Sequence, residues 1–160
     1  MEGSILDKIL SNLSTYKSRN AFYINEQFYT YTDLAHKVAG INEALKDIPN
    51  QSCVGVIATD SIETYASILA LWFNNLVFIP ISPNNSKERN QNSIKQAEVN
   101  FILTPIITDV NIIDSTNIKL VTTSNLSSKA KIENKNTEDR LPKASGLFCT
   151  IRFCLPSLDR

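Results

Sequence analysis

The chain has 160 residues, with 16 basic and 16 acidic side chains, and 42% of it is hydrophobic. That suffices for one domain with a real core, or one domain and a small piece, and is too little for a large two-domain enzyme. A net charge of zero argues against general binding to nucleic acid or to an anionic membrane, because such binders carry a basic patch or stripe. No apolar run is long enough to span a bilayer. The opening MEGSILDKIL lacks the basic start and long apolar stretch of a signal peptide, so a cytoplasmic location is expected. Three cysteines, Cys53, Cys149 and Cys154, have no metal-ligand spacing and predict neither a disulfide framework nor a zinc site. The four glycines, Gly3, Gly40, Gly55 and Gly146, exclude a GxGxxG fingerprint and a GxxxxGK loop.

Residues 4–16 predict a helix with Ile5, Leu6, Ile9, Leu10, Leu13 and Tyr16 on one face. Ala21 to Tyr31 is aromatic and strand-favouring around the polar break Asn25-Glu26-Gln27, which predicts a hairpin. Thr30 and Asp33 form a capping-box pair opening a helix with Leu34, Val38, Ile41, Leu45 and Ile48 on one stripe, stopped at Pro49. Cys53 to Ala58 reads as a strand buried on both faces. Asp60 or Ser61 caps a nearly all-apolar helix that ends at Asn74-Asn75. Leu76 to Ser82 is a strand with Pro80 expected at an end or bulge. Ser86 to Glu98 is a polar helix turning Ile94 and Ala97 inward, followed by strands at Asn100 to Thr104 and Ile118 to Thr123.

Strands alternating with helices predict an α/β fold, a mainly parallel sheet with crossover helices behind an N-terminal helix and β-hairpin. The expected core holds Leu69, Leu71, Val54, Val56, Ile79 and Ile102. The expected division is an α/β unit over 1–124, a polar linker or loop over 125–143, and a strand-like tail over 144–160.

From Ala21 to Thr104 this order resembles the N-terminal segment of the AMP-forming adenylating ligases, the superfamily of acyl-CoA synthetases, luciferases and amino-acid adenylation domains. Thr30-Tyr31-Thr32-Asp33-Leu34 matches the Thr-Tyr-x-Glu-Leu helix opening with Asp for Glu, and Val54 to Ala58 matches the strand after it. Asp60 stands where the family has a capping Asn, and Asn75 where it has a helix-ending Gly. Ala70, Pro80, Pro83, Arg89 and Phe101 to Thr104 fall in register. Within the superfamily the chain is nearest to the amino-acid-activating type, which includes D-alanine–carrier-protein ligases and peptide-synthetase adenylation domains. The resemblance covers about half of the chain. It implies a partial adenylating-enzyme N-terminal domain. In the intact family it also implies ATP and magnesium as cofactors and a carrier protein or CoA as partner.

The family's Ser/Thr/Gly-rich phosphate loop ends in Pro-Lys-Gly, and its place here is Leu141 to Pro156. Only Lys143, Ser145, Gly146 and Thr150 echo it, and a solvent-facing turn followed by a strand is the preferred reading of those residues. The family's adenine motif, ribose-binding Asp and catalytic Lys would fall beyond Arg160. No catalytic residue and no metal site are assigned. His36 lies off its apolar stripe and reads as a surface residue. Asp60 follows a strand, where ligand-binding residues often sit in parallel sheets, but a helix cap is the preferred role. Trp72 and Phe73 read as core rather than an acyl pocket. The lysines and acids from Lys129 to Lys143 read as a solvated mixed-charge stretch.

The function expected from the resemblance is therefore that of an N-terminal fragment of an ATP-dependent, AMP-forming acid ligase, with an amino acid as the expected substrate, and inactive alone. Its intact form makes an acyl-adenylate and passes it to a carrier thiol. Whether this chain is an enzyme stays open. The alternative is a non-catalytic α/β binding or interaction module. A phosphoacceptor domain ranks below both, because Asp60 has no acidic neighbour to share a magnesium ion. A homodimer through an exposed sheet edge or the tail is expected, as is neither nucleic acid nor membrane as a partner.

Overall fold

A computed structural model of the protein describes residues 4–106 and 117–135. Helix α1 runs from Ile5 to Thr15, and its cap is reciprocal: Asp7 N donates to Ser4 Oγ at 3.0 Å and Ser4 N donates to the Asp7 carboxylate at 3.2 Å. Leu6 and Leu13 are buried, and Ile9 and Leu10 are packed behind them. Ile5, expected on that face, is 72% exposed, because it stands roughly 100° round the helix from Leu6. Strands β1 (Asn20–Ile24) and β2 (Gln27–Thr30) pair antiparallel. Asn25 and Glu26 both have positive φ at the turn, the backbone that suits a two-residue hairpin loop.

Helix α2 (Tyr31–Leu45) opens on the Thr30–Asp33 box foreseen from the sequence, and Leu34, Val38, Ile41 and Leu45 are buried along it. Ile48 packs on the core from beyond its end. Then follow β3 (Cys53–Ile57), α3 (Ile62–Phe73), β4 (Val77–Ile81), α4 (Lys87–Gln96), β5 (Phe101–Thr104) and β6 (Lys119–Thr122). The four strands form a parallel sheet in the order β4-β3-β5-β6, the α/β architecture expected. Val54 and Val56 face the side covered by α1, α2 and α3, and Ile57 faces Ile81, Ile94, Val99 and Ile102 on the α4 side.

Gly55 shares the α4 face of β3. A Cβ there would stand 2.7 Å from Ile81 Cδ1 and 2.8 Å from Ile102 Cγ1, so its bare backbone lets the neighbouring isoleucines close over the strand. The core differs from expectation at two places. Leu71 is fully buried, but Leu69 is only partly buried, because small residues, Ala66, Ser67 and Ala70, make much of the inner face of α3, and Ile79 is only partly buried on β4, the outermost described strand on that side of the sheet. Pro80 lies inside β4 rather than at its end. The carbonyl of Ile81 accepts from Ala58 N, so Ile81 points toward β3 and Pro80, one residue earlier, points its missing donor away from the ladder. Asn75 adopts φ 54° as the end of α3 requires.

Residues 124–135 are irregular and cross the helices as a strap. Ser128 N donates to the His36 carbonyl at 3.0 Å and Lys135 N to the Phe73 carbonyl at 2.8 Å, while Ile132 enters the core. None of the described helices is long and apolar enough to cross a membrane.

Candidate functional site

In open parallel sheets, ligands bind beyond the carboxyl ends of the strands where the strand order reverses. Here β3 connects outward to β4, and the chain then returns to place β5 on the other side of β3, so the reversal lies between β3 and β5. The segment after β3 presents Thr59, Asp60 and Ser61 there, followed by Thr64 in the first turn of α3.

Ser61, not Asp60, is the cap of α3: its hydroxyl accepts from Thr64 N at 3.3 Å. Its extended backbone, φ −144° and ψ 153°, aims that short side chain back at the helix. The hydroxyls of Thr59, Ser61 and Thr64 lie 3.1–3.3 Å from one another, and Thr59 N donates to Thr64 Oγ1 at 3.2 Å. Asp60 turns the other way. Its Oδ1 accepts from Tyr65 Oη at 3.2 Å, and its backbone carbonyl accepts from Asn25 Nδ2 at 3.2 Å. The Asp60 hydrogen bond holds the Tyr65 phenol above its ordinary pKa, since ionisation would remove the donated proton. Phe22 stacks on Tyr65 at 4.8 Å. Asp60 therefore fastens the hairpin to the start of α3.

The other strand ends are closed by their own residues. Thr123 Oγ1 donates to the Thr104 carbonyl at 3.2 Å, and Thr104 Oγ1 to the Ile106 carbonyl at 2.7 Å. Asn90, 1% exposed on the otherwise polar α4, donates to the Ser82 carbonyl at 2.9 Å and ties down the end of β4. This edge offers hydroxyls, amides and one carboxylate already engaged. Such groups hold and orient a ligand; they are not a base–nucleophile pair. Among the described residues no group of three or more His, Cys, Asp or Glu side chains is placed to hold a metal ion.

His36 lies apart from this edge, on α2, half-buried, with its carbonyl taken by the strap. Phe73 is fully buried and Trp72 packs against the same core, as expected. Lys143, Ser145, Gly146 and Thr150, the phosphate-loop candidates, lie outside the described residues. The hydroxyl cluster was not singled out from the sequence. Its signal is the Thr-Asp-Ser-x-x-Thr run directly after an apolar strand, where a cap and the residue three places later share one site.

Comparisons with known proteins agree with the fold. The model of the AMP-binding enzyme family matches residues 11–147. Nonribosomal peptide synthetase sidE of Aspergillus fumigatus is 32% identical over 98 residues, which is 59% of this chain and 5% of that protein. A four-domain nonribosomal peptide synthetase, holo-AB3403, solved with AMP and glycine, superposes with a TM-score of 0.70 at 23% identity, over 79% of this chain and 9% of that one. The N-terminal subdomain of Klebsiella oxytoca NpsA, solved with 3-hydroxybenzoyl-AMSN, superposes with a TM-score of 0.64 at 18% identity, over 76% of this chain and 30% of that subdomain chain. The chain belongs to the AMP-binding enzyme family, and its fold is shared with the N-terminal subdomains of adenylation domains. It spans only a small part of the length of these relatives.

Proposed function

We propose that this chain supplies the opening scaffold of an adenylate-forming ligase that activates an amino acid. In that reaction a substrate carboxylate attacks the α-phosphate of ATP, pyrophosphate leaves, and the acyl group then passes to a carrier thiol, with CoA as the other acceptor class. The observation that carries the reading is the family match over residues 11–147, which spans the whole sheet. The chain's own part is positional: the β3–β5 reversal and the hydroxyl cluster form one rigid wall.

The described residues do not fit magnesium. The one carboxylate at the strand ends, Asp60, is held by Tyr65 and has no acidic neighbour there. In this reading the chain alone carries out no adenylation. A cytoplasmic location belongs to the same proposal. So does a second copy meeting it at a sheet edge or the tail, a contact supported by Leu120 on the edge strand β6, 37% exposed.

The test is ATP–pyrophosphate exchange, screened across amino acids and aryl acids. It is run on the 160-residue chain and on the natural polypeptide captured by antibodies raised against it. No exchange from the chain and amino-acid-dependent exchange from the captured polypeptide are expected. Exchange by neither, beside a working adenylation domain, favours the non-catalytic α/β module.

A further inference from the structure

A cleft lies away from the strand ends. It opens between α1, the start of α2 and the strap, with a volume of about 870 Å³. That lies within the range of cavities that take small ligands, roughly 300–1,000 Å³. Its apolar surface comes from the half-buried Leu10 of α1 and Ala35 of α2, with the buried Leu13 and Ile132 beneath them.

The charge around this apolar floor is mostly positive, three lysines against the one carboxylate of Asp7. Lys17, after α1, and Lys129 and Lys131, on the strap, line the cleft, as does His36 of α2. All three lysines are exposed, and among the described residues none of them pairs with a carboxylate. The one acid in the lining, Asp7, is already occupied by Ser4 N and by Asn134 Nδ2 at 3.0 Å. An apolar floor ringed by free ammonium groups is complementary to a molecule with an apolar body and an anionic head. A neutral or cationic chain would meet the same floor without the electrostatic attraction.

We propose that this cleft is a binding site for a small anionic amphiphile, a single-chain carboxylic acid of the fatty-acid class. The chain lies on Leu10 and Ala35, and the carboxylate is held by Lys17, Lys129 and Lys131. The assignment does not rest on the adenylation reading, because the cleft is built from α1, α2 and the strap and shares no residue with the strand ends. No bond is made or broken there; the site binds.

The test is calorimetry on the full 160-residue chain with dodecanoate, well below its micelle-forming concentration. Dodecanol and dodecyltrimethylammonium serve as neutral and cationic controls. The expected dissociation constant for dodecanoate is about 10–100 µM, with binding to either control at least about tenfold weaker. The combined Lys17→Gln, Lys129→Gln and Lys131→Gln variant is expected to bind dodecanoate about tenfold or more weakly with an unchanged melting temperature, since the three side chains are exposed. Ala35→Phe, which fills the floor, gives a second loss independent of charge. Dissociation constants of about a millimolar or more, equal binding of all three chain molecules, or unchanged binding by the lysine variant each overturn the proposal. So does an acidic peptide that binds the cleft while dodecanoate does not.

Discussion

A methyl group on Gly40 would stand 2.6 Å from the backbone nitrogen of Ser127. The carbonyl carbon of Leu126 would be 2.8 Å away. The strap thus lies directly on the backbone of α2, and the hydrogen bond from Ser128 N to the His36 carbonyl one turn earlier fixes it there. In a free helix, Gly→Ala stabilises by about 1 kcal/mol. Here the obstructing atoms are backbone, so the strap must shift. Gly40→Ala is expected to destabilise by about 1–3 kcal/mol, as overpacking does. It should also raise hydrogen exchange at Ser128 and Lys135, whose amides the strap contacts protect. A stabilised variant with unchanged exchange would show that the strap is not seated on α2.

Two leucines on α3 separate the fully packed face from the partly open one. Leu71 is 0% exposed and Leu69 lies at the edge of the core. Leu71→Ala is expected to cost about 2–5 kcal/mol and Leu69→Ala about half as much, since less of its side chain leaves water on folding. Urea unfolding of both variants measures the difference. Equal losses would place Leu69 in the core after all.

The Thr30–Asp33 box gives α2 a pH dependence. Asp33 Oδ2 accepts from Thr30 Oγ1 at 2.7 Å and from Thr30 N at 2.8 Å. These bonds, the hydroxyl's first, hold its carboxyl below the ordinary value of 3.8. On acidification the unfolded chain takes up this proton before the folded one does. The contribution is therefore whole above the ordinary aspartate value and is lost as pH falls through the lowered folded value. Asp7 shifts in the same direction, so the comparison with Asp33→Ala isolates the α2 box. That variant is expected to lose about 0.5–1 kcal/mol at pH 6, with the gap to wild type narrowing toward pH 3. A gap constant across that range would mean that the carboxylate contributes nothing through its charge.

The elements legible in the sequence are those whose signal is carried by side chains. Asn25-Glu26 marks the hairpin by polarity, Thr30 and Asp33 mark the opening of α2, and Asn75 ends α3 in the left-handed backbone it tolerates. What was not legible depends on backbone partners or on distant residues. Nothing in the run from Ser124 to Lys135 announces that its amides reach the carbonyls of His36 and Phe73, since carbonyls are the same at every position. Asn90 looks like the other polar residues of α4, and only the Ser82 carbonyl opposite makes its burial favourable. Asp60 and Ser61 are equal capping candidates by type, and the choice falls to the backbone angle that turns one toward α3 and the other toward Tyr65. The lysine cleft joins Lys17 to Lys131, far apart in the chain, and no local spacing records that meeting.

The last expectation concerns nucleotide. ATP brings several negative charges out of water, and tight binding needs converging donors to replace the lost hydration. At the strand ends the chain supplies neutral hydroxyls that already bond one another, and a carboxylate of the wrong sign. Lys37, which bridges α2 to α3, is committed to Glu63 at 3.0 Å and to the Ser124 carbonyl at 2.6 Å. The echo of a phosphate loop in Lys143, Ser145, Gly146 and Thr150 amounts to one cation and two hydroxyls with a single glycine. Binding of the phosphates alone should then have a dissociation constant on the order of millimolar, about −4 kcal/mol. By mass action, ATP with magnesium at a tenth of that concentration shifts the melting temperature by almost nothing. A melting shift at micromolar ATP, retained in Lys37→Met and lost in Lys143→Met, would overturn this and identify Lys143 to Thr150 as a working phosphate loop.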